Sequence, residues 1–291
     1  MPGINLATKY ESQLLQAYTR ESVITGKYNT DYDWSGVNSI HIYTAVTQDL
    51  NDYDRTASGN RYGTPTELQD TQQELILRND KSFAITVDRG NNTDQMMVKK
   101  TGEVTKAQIG EKVVPWFDKL ALTTWAHHAG QSTPMAAVTK DTVLDMFIAA
   151  HTHFFNNAIP VDPSRCFAYV TTATYAKLLR NPEFISIEKL GETDLTKGVV
   201  GKCMNFKVIE VPDGYFDPTM REAGTAMADV AGTQALFVNK RSVIFAQKLK
   251  ELHIHNDAPG ISGVLMEGRY RGDAFVLDTI NKGVLKIGTT A

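Results

Sequence analysis

"EKVVPWFDKLALTTWAHHAG", residues 111–130, is the stretch on which the reading of this chain turns. Together with the residues just before it, it places Ile109, Val113, Trp116 and Leu120 at intervals of four, three and four, flanked by Val114, Phe117, Ala121 and Trp125. That spacing predicts an amphipathic helix over 104–129, with an apolar surface wide enough to be covered from two sides. About 25 residues of helix extend roughly 37 Å, the length of a spine rather than of a short packing element. Pro115 stands inside it. A proline in a helix interior costs about 3 kcal/mol, because it removes a donor and its ring meets the preceding turn. Something outside the helix has to compensate.

The chain has 291 residues, 42% of them hydrophobic and 22% charged, with a net charge of −3. This is an ordinary globular profile, long enough for one large or two modest domains. The near-neutral balance argues against a surface that coats nucleic acid. Two cysteines, Cys166 and Cys203, are too few for a disulfide framework at this length and are expected to be packed, reduced thiols. "MPGINLATKYESQLLQ" lacks the basic start and apolar run of a secretory signal. No stretch reaches the roughly 20 apolar residues that span a bilayer, so no membrane partner is expected.

Working outward from the helix, core material is uneven: 35 apolar residues fall in positions 1–100 and 87 in the remaining 191. Tyr10, Leu14 and Tyr18 suggest a short helix, followed by an irregular arm in "TGKYNTDYDWSGVNS". A strand is predicted in "SIHIYTAV", and β-character returns in "ELILRNDKSFAITVD", where Phe83, Ile85 and Val87 alternate. Between them run about 26 residues of turn-formers without a period, too long for a loop inside a compact core. The expectation is a long hairpin with an extended tip near 48–72, which must lie on something because an isolated hairpin is marginal in water.

Beyond residue 140 the texture becomes compact α/β. "DTVLDMFIAAHTHFFNNAI" predicts a helix with Leu144, Phe147, Ile148, His151 and Phe155 on its inner face. "RCFAYV" is a buried strand, "TTATYAKLLRNPEF" a capped helix ended by Pro182, and "NFKVIEVP" and "QALFVNKRSVIFAQ" are strands around a loop at 213–233. The tail is a β-meander, with turns expected at Arg271-Gly272-Asp273 and Asn281-Lys282-Gly283. The "RGD" triplet is taken as that turn, not as an adhesion signal.

Chemistry-bearing motifs are missing. There is no G-x-S-x-G elbow, phosphate loop or dinucleotide turn. His151 and His153 point apart on a helix, as do His127 and His128 at a helix end. His253 and His255 share a strand face without an evident third ligand, so neither a metal nor a cofactor is expected. The basic residues in "VKK" and "NKRS" fit a solvated face better than a DNA-contact patch. Projecting parts ahead of a compact lobe instead leave apolar residues such as Leu50, Tyr53 and Tyr62 for neighbouring subunits to cover.

Three segments carry a family likeness: "LNDYDRTASGNRYGTPTELQDTQQELILRNDKSFAITVD", the proline-plus-acid element "VVPWFDKLA", and the C-terminal "GVLMEGRYRGDAFVLDTINKGVLKI". With the order of elements over essentially the whole chain, they resemble the major capsid proteins of tailed bacteriophages, whose fold is shared with encapsulin shells. The resemblance implies an α+β fold with an N-terminal arm (1–36), an extended loop (37–90) and a peripheral domain with a spine helix (91–138 and 240–291). An axial domain would occupy 139–239. It implies a non-enzymatic role in the virion, assembled in the host cytoplasm: pentamers and hexamers of this chain forming an icosahedral shell around double-stranded DNA.

Leu50, Tyr53, Arg55, Arg61 and Tyr62 of the extended loop would then contact the neighbouring subunit, and Pro115 with Trp116 would form a hinge in the spine. Some members of that family join a loop lysine covalently to a neighbour's asparagine. No lysine lies between Lys27 and Lys81, so a non-covalent shell is expected. With no long helical segment ahead of the arm, a separate scaffolding protein is expected, and a portal as a further partner. A subunit this close to neutral should confine DNA rather than grip it, whichever way Lys99 and Lys100 face. Three alternatives stand beside it: an encapsulin-like compartment holding protein cargo, a metal hydrolase using His151, His153, His253 or His255, and another virion component such as a tail-tube or decoration protein, against which the helix at 104–129 counts.

Overall fold

The computed structural model describes residues 21–34, 38–47, 49–65, 67–89, 101–136, 138–181, 199–256, 259–260 and 262–289. The short helix expected around Tyr10, Leu14 and Tyr18, the stop at Pro182, and Lys99 and Lys100 lie outside the described residues.

In chain order the strands and helices begin with β1 (Ser39–Ala45), β2 (Asp70–Ile76) and β3 (Asp80–Asp88), then α1 (Thr101–Gln108) and α2 (Val114–His127). There follow β4 (Gln131–Pro134), α3 (Val143–Asn156), β5 (Cys166–Thr171), α4 (Thr172–Leu178), β6 (Val199–Cys203) and β7 (Phe206–Val211). The chain closes with β8 (Arg221–Glu222), β9 (Thr225–Ala226), β10 (Thr233–Asn239), β11 (Val243–His255), β12 (Gly263–Val276) and β13 (Val284–Gly288).

A mixed six-stranded sheet, order β4-β13-β10-β5-β7-β6, forms the centre. Its inner strands β13, β10, β5 and β7 are buried at consecutive positions because both faces are covered, while the edge strand β4 is polar and exposed. Along β5, Phe167 and Tyr169 point to the side of α2, where they join Leu122 and Trp125. Cys166, Ala168 and Val170 point to α3, where they meet Met146, Phe147, Ala150 and Phe154. Both cysteines are free, with the Cys166 thiol pushed up by burial.

α3 is rotated from the sequence expectation. Leu144 and Phe147 are buried as expected, but Ile148 is 49% and Phe155 73% exposed, while Val143, Met146, Ala150 and Phe154 face the sheet. Both stripes have helical spacing and both are apolar, so periodicity alone could not choose between them.

Two further expectations change. The segment "QALFVNKRSVIFAQ" is not one strand: a short turn at Lys240–Ser242 divides β10 from β11, which enters a second sheet of order β11-β12-β3. Arg271-Gly272-Asp273 is not a turn but lies within β12, all three residues paired with β11 and Arg271 also with β3. A Cβ at Gly272 would come 2.7 Å from the Ala246 carbonyl oxygen, so the glycine serves close strand approach. Asp273 is buried there and accepts hydrogen bonds from the Arg78 and Ala274 amides and from Asn79 Nδ2.

The long helix lies between the two sheets. α1, a π-helical turn at Ile109–Val113 and α2 follow one another without a break. In α2 every residue from Phe117 to Ala126 except Lys119 is buried. Its flanks divide the work: Leu122 and Trp125 pack on the six-stranded sheet, Phe117 and Leu120 on Tyr270 of β12.

Pro115 sits in the first turn of α2, directly after the π turn. The Val114 amide reaches back five residues to the Ile109 carbonyl. One extra residue in the turn relocates the carbonyl that the proline ring would otherwise meet, and Pro115 then occupies a helix-start position, where its missing donor costs least.

Three residues on, Asp118 fastens the arm. Its carboxylate, 2% exposed, accepts from Ser22 Oγ at 2.7 Å and the Val23 amide at 3.0 Å. Lys27 is fully buried nearby and donates to the Val23 carbonyl at 2.8 Å. Burial raises the Asp118 carboxyl above the usual range, against the hydrogen bonds that lower it. Burial likewise brings Lys27 down to about 8, although Asp118 opposes the shift. A lysine depressed in the folded state binds fewer protons than in the unfolded chain between about pH 8 and its ordinary 10.5. Stability contributed at this site therefore rises with pH across that window. Urea unfolding at stepped pH should show the rise in the wild type and its loss in Lys27→Met; identical pH slopes would contradict the assignment.

Candidate assembly interface

The extended loop is a ribbon of two strands. β1 and β2 pair antiparallel from Ser39–Ile76 to Ala45–Asp70, and the pairing ends with the Val46 amide on the Gln69 carbonyl. Its root is seated. Leu75 and Leu77 join Trp34, Ile244, Ala246 and Leu277, and Trp34 stacks on Phe275 at 5.4 Å. Gln73 bridges to β12 and the turn after it, donating to the Val276 carbonyl and accepting from the Asp278 amide, each at 3.0 Å.

The tip holds its shape through local hydrogen bonds. Asp54 Oδ1 accepts from the Thr56 amide (2.8 Å) and Thr56 Oγ1 (2.6 Å), which keeps the Asp54 carboxyl below its usual range. The Asp54 amide donates to the Arg61 carbonyl, and Arg61 Nε to the Ala57 carbonyl at 2.8 Å. Gly63 takes φ +88°, a turn conformation that suits a residue without Cβ.

What the tip does not do is bury its apolar groups. Leu50 is 100% exposed, Tyr62 83% and Leu68 71%, with Tyr53 touching Tyr62 edge-on at 4.9 Å. Arg55 is exposed as well. The structure thus gathers the five loop residues singled out from sequence on one projecting tip, while Pro115 and Trp116 sit on the long helix. Trp116 is half-buried, edge-on to Phe117 at 4.9 Å, with Lys81 Nζ of β3 over its ring at 5.1 Å.

Two further apolar surfaces escaped the sequence reading. Ile148 and Phe155 make an exposed stripe on α3, with His151 stacked against Phe155. Leu252 and Ile254 stand exposed on the outer half of β11, beside a groove lined also by Thr105 and Ile109. An apolar stripe on the outward face of a helix was the available signal for the first. Nothing in its spacing marked which stripe was outward.

Histidines are scattered over these surfaces. His153 Nε2 bonds the Lys282 carbonyl at 2.9 Å, and His253 and His255 stack at 6.1 Å near Glu251 and Glu267. No described helix is long and apolar enough to cross a membrane.

Searches against family models and curated proteins find no match. Solved structures do match. The chain superposes on a capsid chain of cyanophage P-SCSP1u with a TM-score of 0.76 at 13% identity, covering 99% of this chain and 93% of that one. The mature capsid of bacteriophage PhiM1 gives 0.73 at 11% identity, covering 98% and 92%. A chain of Mycobacterium phage Che8 gives 0.71 at 15% identity, covering 99% and 98%. The chain therefore has, from end to end, the fold of phage capsid proteins.

Proposed function

We propose that this chain is the major capsid protein of a tailed double-stranded DNA phage and that its work is structural rather than catalytic. Copies associate as pentamers and hexamers into an icosahedral shell around the genome, with a scaffolding protein and a portal as assembly partners in the host cytoplasm. The observation that carries this reading is full-length likeness to phage capsid chains combined with a loop tip whose apolar groups have no cover among the described residues.

In this reading residues 1–36 are the arm, 37–90 the extended loop, 91–138 with 240–291 the peripheral domain, and 139–239 the axial domain. Leu50, Tyr53, Arg55, Arg61 and Tyr62 lie on the next subunit, supplying apolar contact and charge at a non-covalent joint. The loop tip has no lysine amine to support a cross-link. DNA is confined rather than gripped, in keeping with a net charge of −3.

Overexpressed protein viewed by negative-stain microscopy should form closed shells that dissociate fully in boiled SDS. Leu50→Asp should change the unfolding free energy of the dissociated chain by less than about 0.5 kcal/mol, as expected of an exposed site, yet abolish the shells. Monodisperse single copies of the wild type, or normal shells from Leu50→Asp, would overturn the proposal.

Pro115 and Trp116 act as the hinge of the long helix, because the π turn and the proline leave it weakest there. Pro115→Ala should straighten this point and alter shell size or closure in cryo-EM maps. An unchanged helix path in normal shells would remove the hinge.

A further inference from the structure

His127 and His128 close the long helix, where helical geometry would turn their rings apart. The chain leaves that geometry at His128, with φ −89° and ψ 19°, and the two rings meet edge to face with centroids 4.8 Å apart. Strand β8 brings Glu222 to the same place, its Oε2 2.5 Å from His128 Nε2. One donor atom from each of the three residues falls within 4.8 Å of the other two. We propose that His127, His128 and Glu222 form a binding site for a divalent transition-metal ion of the zinc class.

The donor set selects the ion. Two imidazoles and one carboxylate suit zinc, cobalt or nickel, whereas calcium and magnesium prefer oxygen ligands alone. Tetrahedral zinc bonds of about 2.0–2.2 Å place ligand atoms roughly 3.3–3.6 Å apart, so the widest pair of the trio needs to close by up to about 1.3 Å. All three side chains are partly solvent-exposed and can make that shift without moving the core.

The surroundings also fit. His127 Nδ1 is paired with Asp229 Oδ1, and Asp229 in turn receives Lys286 Nζ on its other oxygen at 2.8 Å and on its carbonyl at 3.0 Å. A carboxylate held behind a ligand histidine fixes the ring's orientation, as is usual around metal centres. Arg78 Nη1 lies 3.8 Å from Glu222 Oε1, so Glu222 stays anchored from the far side. Metal entry takes the place of the proton shared by His128 and Glu222, which leaves to solvent.

An ion here would clamp the end of the long helix to β8, 94 residues further along the chain. The clamp sits at the loop's root: His128 and Glu222 line a recess of about 340 Å³ together with Gln72–Ile76 of β2. It would stiffen the place where the projecting ribbon leaves the body.

The test is equilibrium dialysis of the metal-free purified protein against micromolar zinc in excess magnesium, read by metal analysis, with the visible spectrum of the cobalt(II) form as a second readout. One zinc per chain is expected, with the intense visible bands of low-coordinate cobalt. His128→Ala and Glu222→Gln should each weaken zinc binding at least 10-fold, while His253→Ala, on β11, should leave it unchanged. Less than a tenth of a zinc per wild-type chain would overturn the site, as would wild-type zinc binding in His128→Ala or Glu222→Gln.

Discussion

A two-stranded ribbon has only one neighbour per strand and no second layer, so it cannot make a dry interior for its own side chains. β1 and β2 form such a ribbon. Most of the remaining described chain buries apolar surface: a six-stranded sheet between two helices, a three-stranded sheet against the long helix, and a small cluster at the ribbon's root, with Ile148 and Phe155 of α3 and Leu252 and Ile254 of β11 among the exposed exceptions. The contrast is sharpest between Leu50, wholly exposed at the tip, and Leu75, buried at the root of the same ribbon. Leu50, Tyr62 and Leu68 stay exposed on a tip that local hydrogen bonds hold in shape, and the proposed assembly would give them their cover.

The long helix makes the projection possible. Its second half packs against both sheets, and Trp125 Nε1 donates to the carbonyl of Ile244, a residue of the cluster at the ribbon's root. The same helix carries Asp118, where the arm is fastened by the Ser22 hydroxyl and the Val23 amide. Residues 22–23, the core and the ribbon's root are thus linked through a few turns of helix, and a π-helical turn stands just before Pro115 there. A hinge at that point would move the arm's anchor and the ribbon together.

Much of this was legible in sequence, for physical reasons that also mark its limits. The run "CFAYV" announced a strand covered on both faces, and the aperiodic stretch after β1 announced a projection, because neither pattern fits another place in a compact fold. The long helix was legible from its apolar spacing, and Pro115 flagged the irregularity without saying that a π turn would absorb it. Where the reading failed, two solutions had equal local merit. α3 carries apolar stripes on both sides, and only the packed sheet decides that Phe154 goes in and Phe155 out. At Arg271-Gly272-Asp273 local turn chemistry suggested a hairpin, but pairing with β11, joined at Arg271 by β3, prevailed. The meeting of His127, His128 and Glu222 depends on a helix end and a distant strand, which no local spacing encodes.

The central claim is that the ribbon between residues 46 and 69 gains its cover only from another copy of the chain. Hydrogen–deuterium exchange compared between assembled and dissociated protein addresses it directly. The account predicts strong protection of this segment in the assembly and rapid exchange in single copies, while α2 and β5 stay protected in both. Equal protection of the ribbon in single copies would contradict it.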